Sequence, residues 1–205
     1  GGRIGDGVRP THRQARAGPA GIIGRTRPAA ASHRACEMKL PLKGVKVLDL
    51  SAFLSGPLAT ATLAEQGADV IKVETPGGDG TRSIGPGKTD LTAMFIAANR
   101  GKRSIAVDLK NAAGREVVVE IARRVDVLVE NMRPGVLGRL GLGYGTLSAL
   151  NPRLVYLSIT GFGQDGPYVA TKAYDGVIQA TAGVSAAHRD PRTGEQLLDP
   201  HRARR

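Results

Sequence analysis

The sequence predicts an open, doubly wound α/β sheet, and three observations carry that prediction. Short β-branched runs alternate with segments whose apolar residues recur at helical spacing. The connections between successive runs are long enough to be crossovers, which makes the strands parallel. The chain has 205 residues, 41% of them apolar, enough for one domain with a real core. With no Trp, three Phe and four Tyr, that core is mostly aliphatic.

The elements follow in order. Residues 45–49 (Val-Lys-Val-Leu-Asp) read as a first strand that ends at Ser51. Ser55-Gly56-Pro57 starts a helix, with Pro near the first helical position, where its missing N–H costs nothing. Leu58, Ala59, Leu63 and Ala64 continue it to Gly67, a C-terminal stop. Residues 69–74 are the second strand. Residues 75–92, rich in Gly, Pro, Thr and Asp, read as a long loop, which inside a compact domain is functional or disordered. Residues 103–107 return to strand character. Asn111 caps a helix whose Val117, Val118, Ile121, Ala122 and Val125 share one face. Strands follow at 126–129 and, after a helical turn at 147–150, at 154–159. Ligands of such sheets sit beyond the carboxyl ends of the strands, here Ser51, Glu74, Asp108, Glu130-Asn131 and Thr160-Gly161. Neither a G-x-G-x-x-G turn nor a P-loop is present, so the residues alone stop at "ligand-binding α/β domain".

Charge needs to be mapped before it is interpreted. The net charge is +11, but residues 1–37 hold seven Arg, no Lys and two acids, and Arg202, Arg204 and Arg205 add three more positive charges. Between Met38 and Pro200 there are 19 basic and 16 acidic residues. An ordinary domain therefore lies between two basic tails, and no basic patch is interleaved with aromatics, which argues against nucleic acid as the partner. Residues 1–37 are expected to be an unstructured basic leader. A transit peptide or a polyanion-binding arm are alternatives, but with no amphipathic face and with Met38 just before the first strand, non-native read-through fits best. Residues 188–205 are expected to form an unstructured or aberrant tail. The single Cys excludes a disulfide framework and suits a reducing cytosol, so a cytoplasmic protein is expected. No apolar run approaches the ~18–20 residues of a membrane span. The four His lie in the tails or the last loop without acids at ligand spacing, so no metal is expected.

Several runs, taken together and in order, carry a family resemblance. They are Leu42-Lys43-Gly44-Val45-Lys46-Val47-Leu48-Asp49-Leu50 with Gly56-Pro57, Gly67-Ala68-Asp69-Val70-Ile71-Lys72-Val73-Glu74, Asn99-Arg100-Gly101-Lys102-Arg103-Ser104-Ile105 and Asp126-Val127-Leu128-Val129-Glu130-Asn131. Arg133-Pro134-Gly135, Arg139-Leu140-Gly141-Leu142, Asn151-Pro152-Arg153-Leu154-Val155-Tyr156 and Gly161-Phe162-Gly163-Gln164-Asp165-Gly166-Pro167 follow. Over residues 40–183 the chain resembles the N-terminal half of the family III CoA-transferases, the group of formyl-CoA transferase, carnitine CoA-transferase and α-methylacyl-CoA racemase. The resemblance implies a Rossmann-like open parallel sheet. It also implies an incomplete large domain, residues 38–187 being its CoA-binding N-terminal part, because full-length relatives build that domain from both ends of the chain and interlock as homodimers.

The resemblance further implies coenzyme A or acyl-CoA as substrate, a carboxylic acid as acceptor, and covalent catalysis by an Asp carboxylate. That Asp follows the Tyr-Asp motif in relatives. Tyr174-Asp175 is present here, but Asp199 and its basic surroundings do not match, so no catalytic residue is assigned and the chain is expected to be inactive as given. Asp175 itself reads as a cap of the helix that starts near Gly176. Carried over residue by residue, the CoA contacts are Phe53, Leu54, Ser55, Val107, Asn131, Met132, Arg139, Lys172 and Tyr174, with Lys102 placed outside the site. Arg and Lys suit the phosphates through charge and multiple N–H donors. Tyr174 stands where the racemase branch has His. A phenol of pKa ~10 is a poor base at neutral pH, which favours transferase over racemase. Thr75 replaces an Arg of formyl-CoA transferase and Met132 replaces an aromatic residue. The alternatives are a non-catalytic CoA- or nucleotide-binding module and a racemase-branch member.

Overall fold

The computed structural model describes residues 40–195; the expected leader over 1–37 and the last ten residues of the expected tail lie outside them. The elements are β1 (Lys46–Asp49), α1 (Ser55–Glu65), β2 (Asp69–Glu74), a 3-10 turn (Gly80–Ser83), β3 (Gly87–Lys88), β4 (Leu91–Thr92), α2 (Ala93–Asn99), β5 (Arg103–Ala106) and α3 (Ala112–Ala122). They continue with β6 (Val127–Glu130), α4 (Val136–Arg139), α5 (Tyr144–Leu150), β7 (Val155–Ser158), α6 (Asp175–Thr181) and α7 (Val184–Ala187). Five strands form one parallel sheet in the order β5-β2-β1-β6-β7. The chain winds outward from β1 through β2 to β5, then α3 carries it back across the sheet to β6. The order therefore reverses between β1 and β6, which is the topological switch of a doubly wound sheet.

Side chains alternate across the strands and give the sheet two buried faces. Leu48, Val73 and Leu128 pack with Val118 and Ala122 of α3, with Leu137 of α4 and Leu147 of α5, and with Leu142 between those two helices. Val47, Val70 and Val129 point the other way, toward Leu63 and Ala64 of α1. Gly56 lets α1 approach β1 closely. A Cβ there would lie 2.2 Å from Ser51 Cβ.

Two expectations need correction. The segment at 75–92 is no structureless loop, since it holds the 3-10 turn and the β3–β4 hairpin. Behind it stands α2, which the sequence reading left out. Thr92 Oγ1 caps this helix by accepting the Phe95 N–H at 3.1 Å, and Phe95 and Ala98 are buried. On α3, capped as expected by Asn111, Val118 and Ala122 are buried but Val117 is 42% exposed. Val117 faces an open cleft of about 710 Å³ at the amino ends of β2 and β5, which no described element covers. Residues 190–195 of the expected tail form a turn in which Asp190 N–H donates to Glu195 O and Gly194 N–H to Asp190 O. No described helix is long and apolar enough to cross a membrane.

Candidate functional site

The switch point is closed by one side chain. Asn131, the residue after β6, accepts the Ala52 N–H at 2.8 Å through Oδ1 and donates to Ala52 O at 2.7 Å through Nδ2. The same Nδ2 reaches Ser55 Oγ at 3.2 Å. A primary amide matches both backbone polar groups of one residue, so the β1–α1 turn is fixed against the end of β6. Between those anchors Phe53 adopts a left-handed backbone with φ +63°, a conformation that costs a non-glycine residue energy and persists only when its surroundings enforce it. Phe53 N–H donates to Asp79 Oδ1 at 3.3 Å, and its ring lies so close to Gly80 that a Cβ there would sit 2.9 Å from Cζ. Helix α1 then starts at Ser55 with no side chain capping its first N–H groups, a natural position for an anion.

Under this turn lies a buried ionic floor. Asp49, fully buried at the end of β1, accepts the Ser51 N–H at 2.9 Å, the Ser51 hydroxyl, the Thr60 hydroxyl at 2.6 Å and the Lys102 ammonium at 2.9 Å. Lys102 Nζ also donates to Pro57 O at 2.8 Å and Asn99 Oδ1 at 2.9 Å. A second buried lysine, Lys72, donates to Ser51 O at 2.8 Å and pairs with Asp79 at 2.9 Å. Burial pushes the Lys102 ammonium down from the usual lysine range against the pull of Asp49. Burial pushes the Asp79 carboxyl up, but the Thr81 N–H and Lys72 outweigh it and leave the carboxyl below its ordinary value. Each charge here is paired with an opposite one, the condition under which buried ions are tolerated; Asp79 Oδ2 has the Lys72 ammonium at 2.9 Å but accepts no further hydrogen bond.

At the end of β2, Glu74 is equally occupied. Arg82 grips it with Nε at 2.7 Å and Nη2 at 2.8 Å, Ser104 Oγ donates at 2.6 Å, and Asp79 N–H at 3.0 Å. Burial raises the carboxyl, yet these donors win and hold it at about 2. Arg82 itself stacks on Phe95, 3.7 Å from the ring centre. Between floor and rim lies a slot of about 250 Å³, walled by Leu50, Phe53, Val73, Val107, Leu109 and Met132. This is near the lower end of the ~300–1,000 Å³ of small-molecule pockets, room for one ring system and little more. Among the described residues no cluster of His, Cys, Asp and Glu is arranged to hold a metal.

The sequence profile of CoA-transferase family III matches residues 42–202. The chain belongs to this family. The acetyl-CoA:oxalate CoA-transferase of Acetobacter aceti is 47% identical over 150 residues, covering 73% of this chain and 39% of that protein. The human succinyl-CoA:glutarate CoA-transferase is 46% identical over 164 residues, covering 79% of this chain and 36% of its own length. Among solved structures, a CaiB/BaiF family protein from Brucella suis superposes with a TM-score of 0.73 at 44% identity, over 78% of this chain and 43% of that one. The chain thus spans about two fifths of the length of these family III relatives.

The structure gathers six of the nine expected contact residues around the switch point. Phe53, Val107 and Met132 wall the slot, Leu54 and Ser55 open α1, and Asn131 joins the two sides. Arg139, at the end of α4, and Lys172 and Tyr174, before α6, are exposed and do not line the slot. One expectation is corrected. Asp175 is the first residue of α6 and not its cap; Tyr174 holds the cap position, and Asp175 accepts from Gln179 Nε2 at 2.5 Å. Lys102, expected to make no ligand contact, does not line the slot but lies beneath the β1–α1 turn, bonded to Asp49 and Pro57 O. The sequence reading also missed Lys72, Asp79, Arg82 and Leu109. A lysine within the apolar run of β2 was the available signal for Lys72.

Proposed function

We propose that this chain is the CoA-binding N-terminal part of an enzyme that moves CoA between an acyl-CoA and a carboxylic acid acceptor. The observation that carries the reading is the apolar slot beside the uncapped start of α1, both fixed by Asn131 at the switch point. An adenine ring fits the slot, and the pyrophosphate follows to the free N–H groups of α1. Arg139 and Lys172 supply cations toward the phosphates from outside the slot, and Tyr174 lies toward the acyl end. The Acetobacter aceti and human relatives named above are CoA-transferases, which supports transfer over racemisation. Family membership supports an interlocked homodimer for the full-length enzyme, and the single Cys supports a cytoplasmic setting.

In this reading the 205 residues bind the cofactor, while the carboxylate that attacks the thioester is not among them. Calorimetric titration with CoA tests binding, and Asn131→Leu, which strands both backbone groups of Ala52, weakens it about tenfold or more. Incubation with acyl-CoA and an acceptor acid, then hydroxylamine trapping and mass spectrometry, tests the chemistry. Absence of CoA binding overturns the assignment. A stoichiometric adduct on an Asp of this chain overturns the claim that these residues lack the nucleophile.

A further inference from the structure

We propose that Lys102 is a positioning residue for the ligand-facing turn at 51–57, acting from beneath it and touching no ligand; the inference rests on the reading of that turn as the CoA contact. Its ammonium is 1% exposed and uses three donors on three separate elements: Asp49 at the end of β1, Pro57 O in the first turn of α1, and Asn99 at the end of α2. Asp49 in turn holds Ser51 by its N–H and hydroxyl and Thr60 by its hydroxyl. The two ends of the turn are thus tied to one buried point. Lys72 fastens Ser51 O from the side, and Asp79, its partner, fastens Phe53 N–H. The charged groups around Lys102 are therefore Asp49, Lys72 and Asp79.

Two roles can be separated. If Lys102 served only to neutralise Asp49, Lys102→Met would loosen the turn no further once Asp49→Asn has removed the charge. If it positions the turn, Pro57 O and Asn99 Oδ1 lose their donor in either case, and the turn loosens even when charge is balanced. A loosened turn must be ordered again on binding, which lowers affinity.

The test uses Lys102→Met, Asp49→Asn and the double variant Asp49→Asn/Lys102→Met in the full chain, the double variant being compared at residues 51–58 with Asp49→Asn alone. Hydrogen–deuterium exchange reads the turn without ligand, thermal unfolding reads the fold, and calorimetry reads CoA affinity. Lys102→Met is expected to lower the unfolding midpoint, speed exchange at residues 51–58 and weaken CoA about tenfold or more. In the double variant the midpoint recovers toward that of the parent, while exchange stays fast and affinity stays low. Exchange unchanged at 51–58, or affinity that recovers together with the midpoint, overturns the proposal. Fast exchange confined to 51–58 in a chain that binds no CoA upholds the positioning and sinks the ligand assignment instead.

Discussion

Glu74 gives the protein a measurable acid weakness. Its carboxyl stands at about 2 in the folded chain against an ordinary value of 4.5, because Arg82, Ser104 and the Asp79 N–H hold the ionised form more strongly than burial opposes it. As pH falls through 4.5 the unfolded chain takes up this proton while the folded chain does not, so stability declines with falling pH. The contribution is complete above 4.5 and gone below about 2. At roughly 1.4 kcal/mol per pH unit the full difference is about 3.5 kcal/mol, and solvent screening at the rim reduces it to about 2 kcal/mol. Urea unfolding followed by circular dichroism, at several pH values between about 6 and 3, compares the parent with Glu74→Gln. The parent should be the more stable by about 2 kcal/mol at the upper end, with the two curves converging as the solution is acidified. Asp79 is held low as well, but it titrates in both proteins and cancels from the difference. Parallel curves would refute the assignment of the acid sensitivity to Glu74.

Other perturbations follow from the same geometry. Gly56→Ala drives a methyl group to 2.2 Å from Ser51 Cβ, so the chain should lose about 1–3 kcal/mol in denaturant titration; an unchanged midpoint would show that α1 is not pressed on β1. Thr60→Val removes a buried donor from Asp49 at constant shape and should cost about 1–3 kcal/mol by the same assay. Arg139→Ala should weaken CoA by roughly 1.5–3 kcal/mol in calorimetry. Arg100→Ala should not, because Arg100 pairs with Glu65 on the surface. Equal losses would remove Arg139 from the phosphate contacts.

What the sequence made legible follows the physics of each element. The inner strands β1, β2 and β6 are rich in β-branched apolar residues because both of their faces are covered, while the edge strands β5 and β7 are partly exposed; each strand was placed within a residue or so. Helix α2 was hidden because two turns give too short a period to separate from the polar loop before it, and only the Thr92 cap marked its start. Val117 carries the helical apolar pattern of α3 yet faces an open cleft, since spacing states which residues share a stripe and not whether anything covers it. At the site, Phe53, Val107, Asn131 and Met132 were found through family motifs and not through periodicity. Lys72 was missed, and the buried place of Lys102 was not foreseen, because a lysine reads as a surface residue unless carbonyls and carboxylates converge on it in space.

The end of β2 favours the proposed CoA site over a dinucleotide site, although an acid stands there as it does in dinucleotide-binding sheets. In dinucleotide-binding sheets that acid receives a ribose hydroxyl, and a Gly-rich turn after the first strand brings backbone to the pyrophosphate. Here Ser55-Gly56-Pro57 takes the place of the Gly-rich turn, and Glu74 already accepts from Arg82, Ser104 and the Asp79 N–H. A ribose hydroxyl would have to displace one of those donors, at the cost of unpairing a buried ion. Thr75, where formyl-CoA transferase carries Arg, is turned to Gly78 O at 3.1 Å and brings no charge to the rim. Recognition of the proposed ligand therefore falls on the apolar slot, the N–H groups at the start of α1 and cations beyond the slot. All three depend on the turn that Asn131 and the buried lysines hold in place.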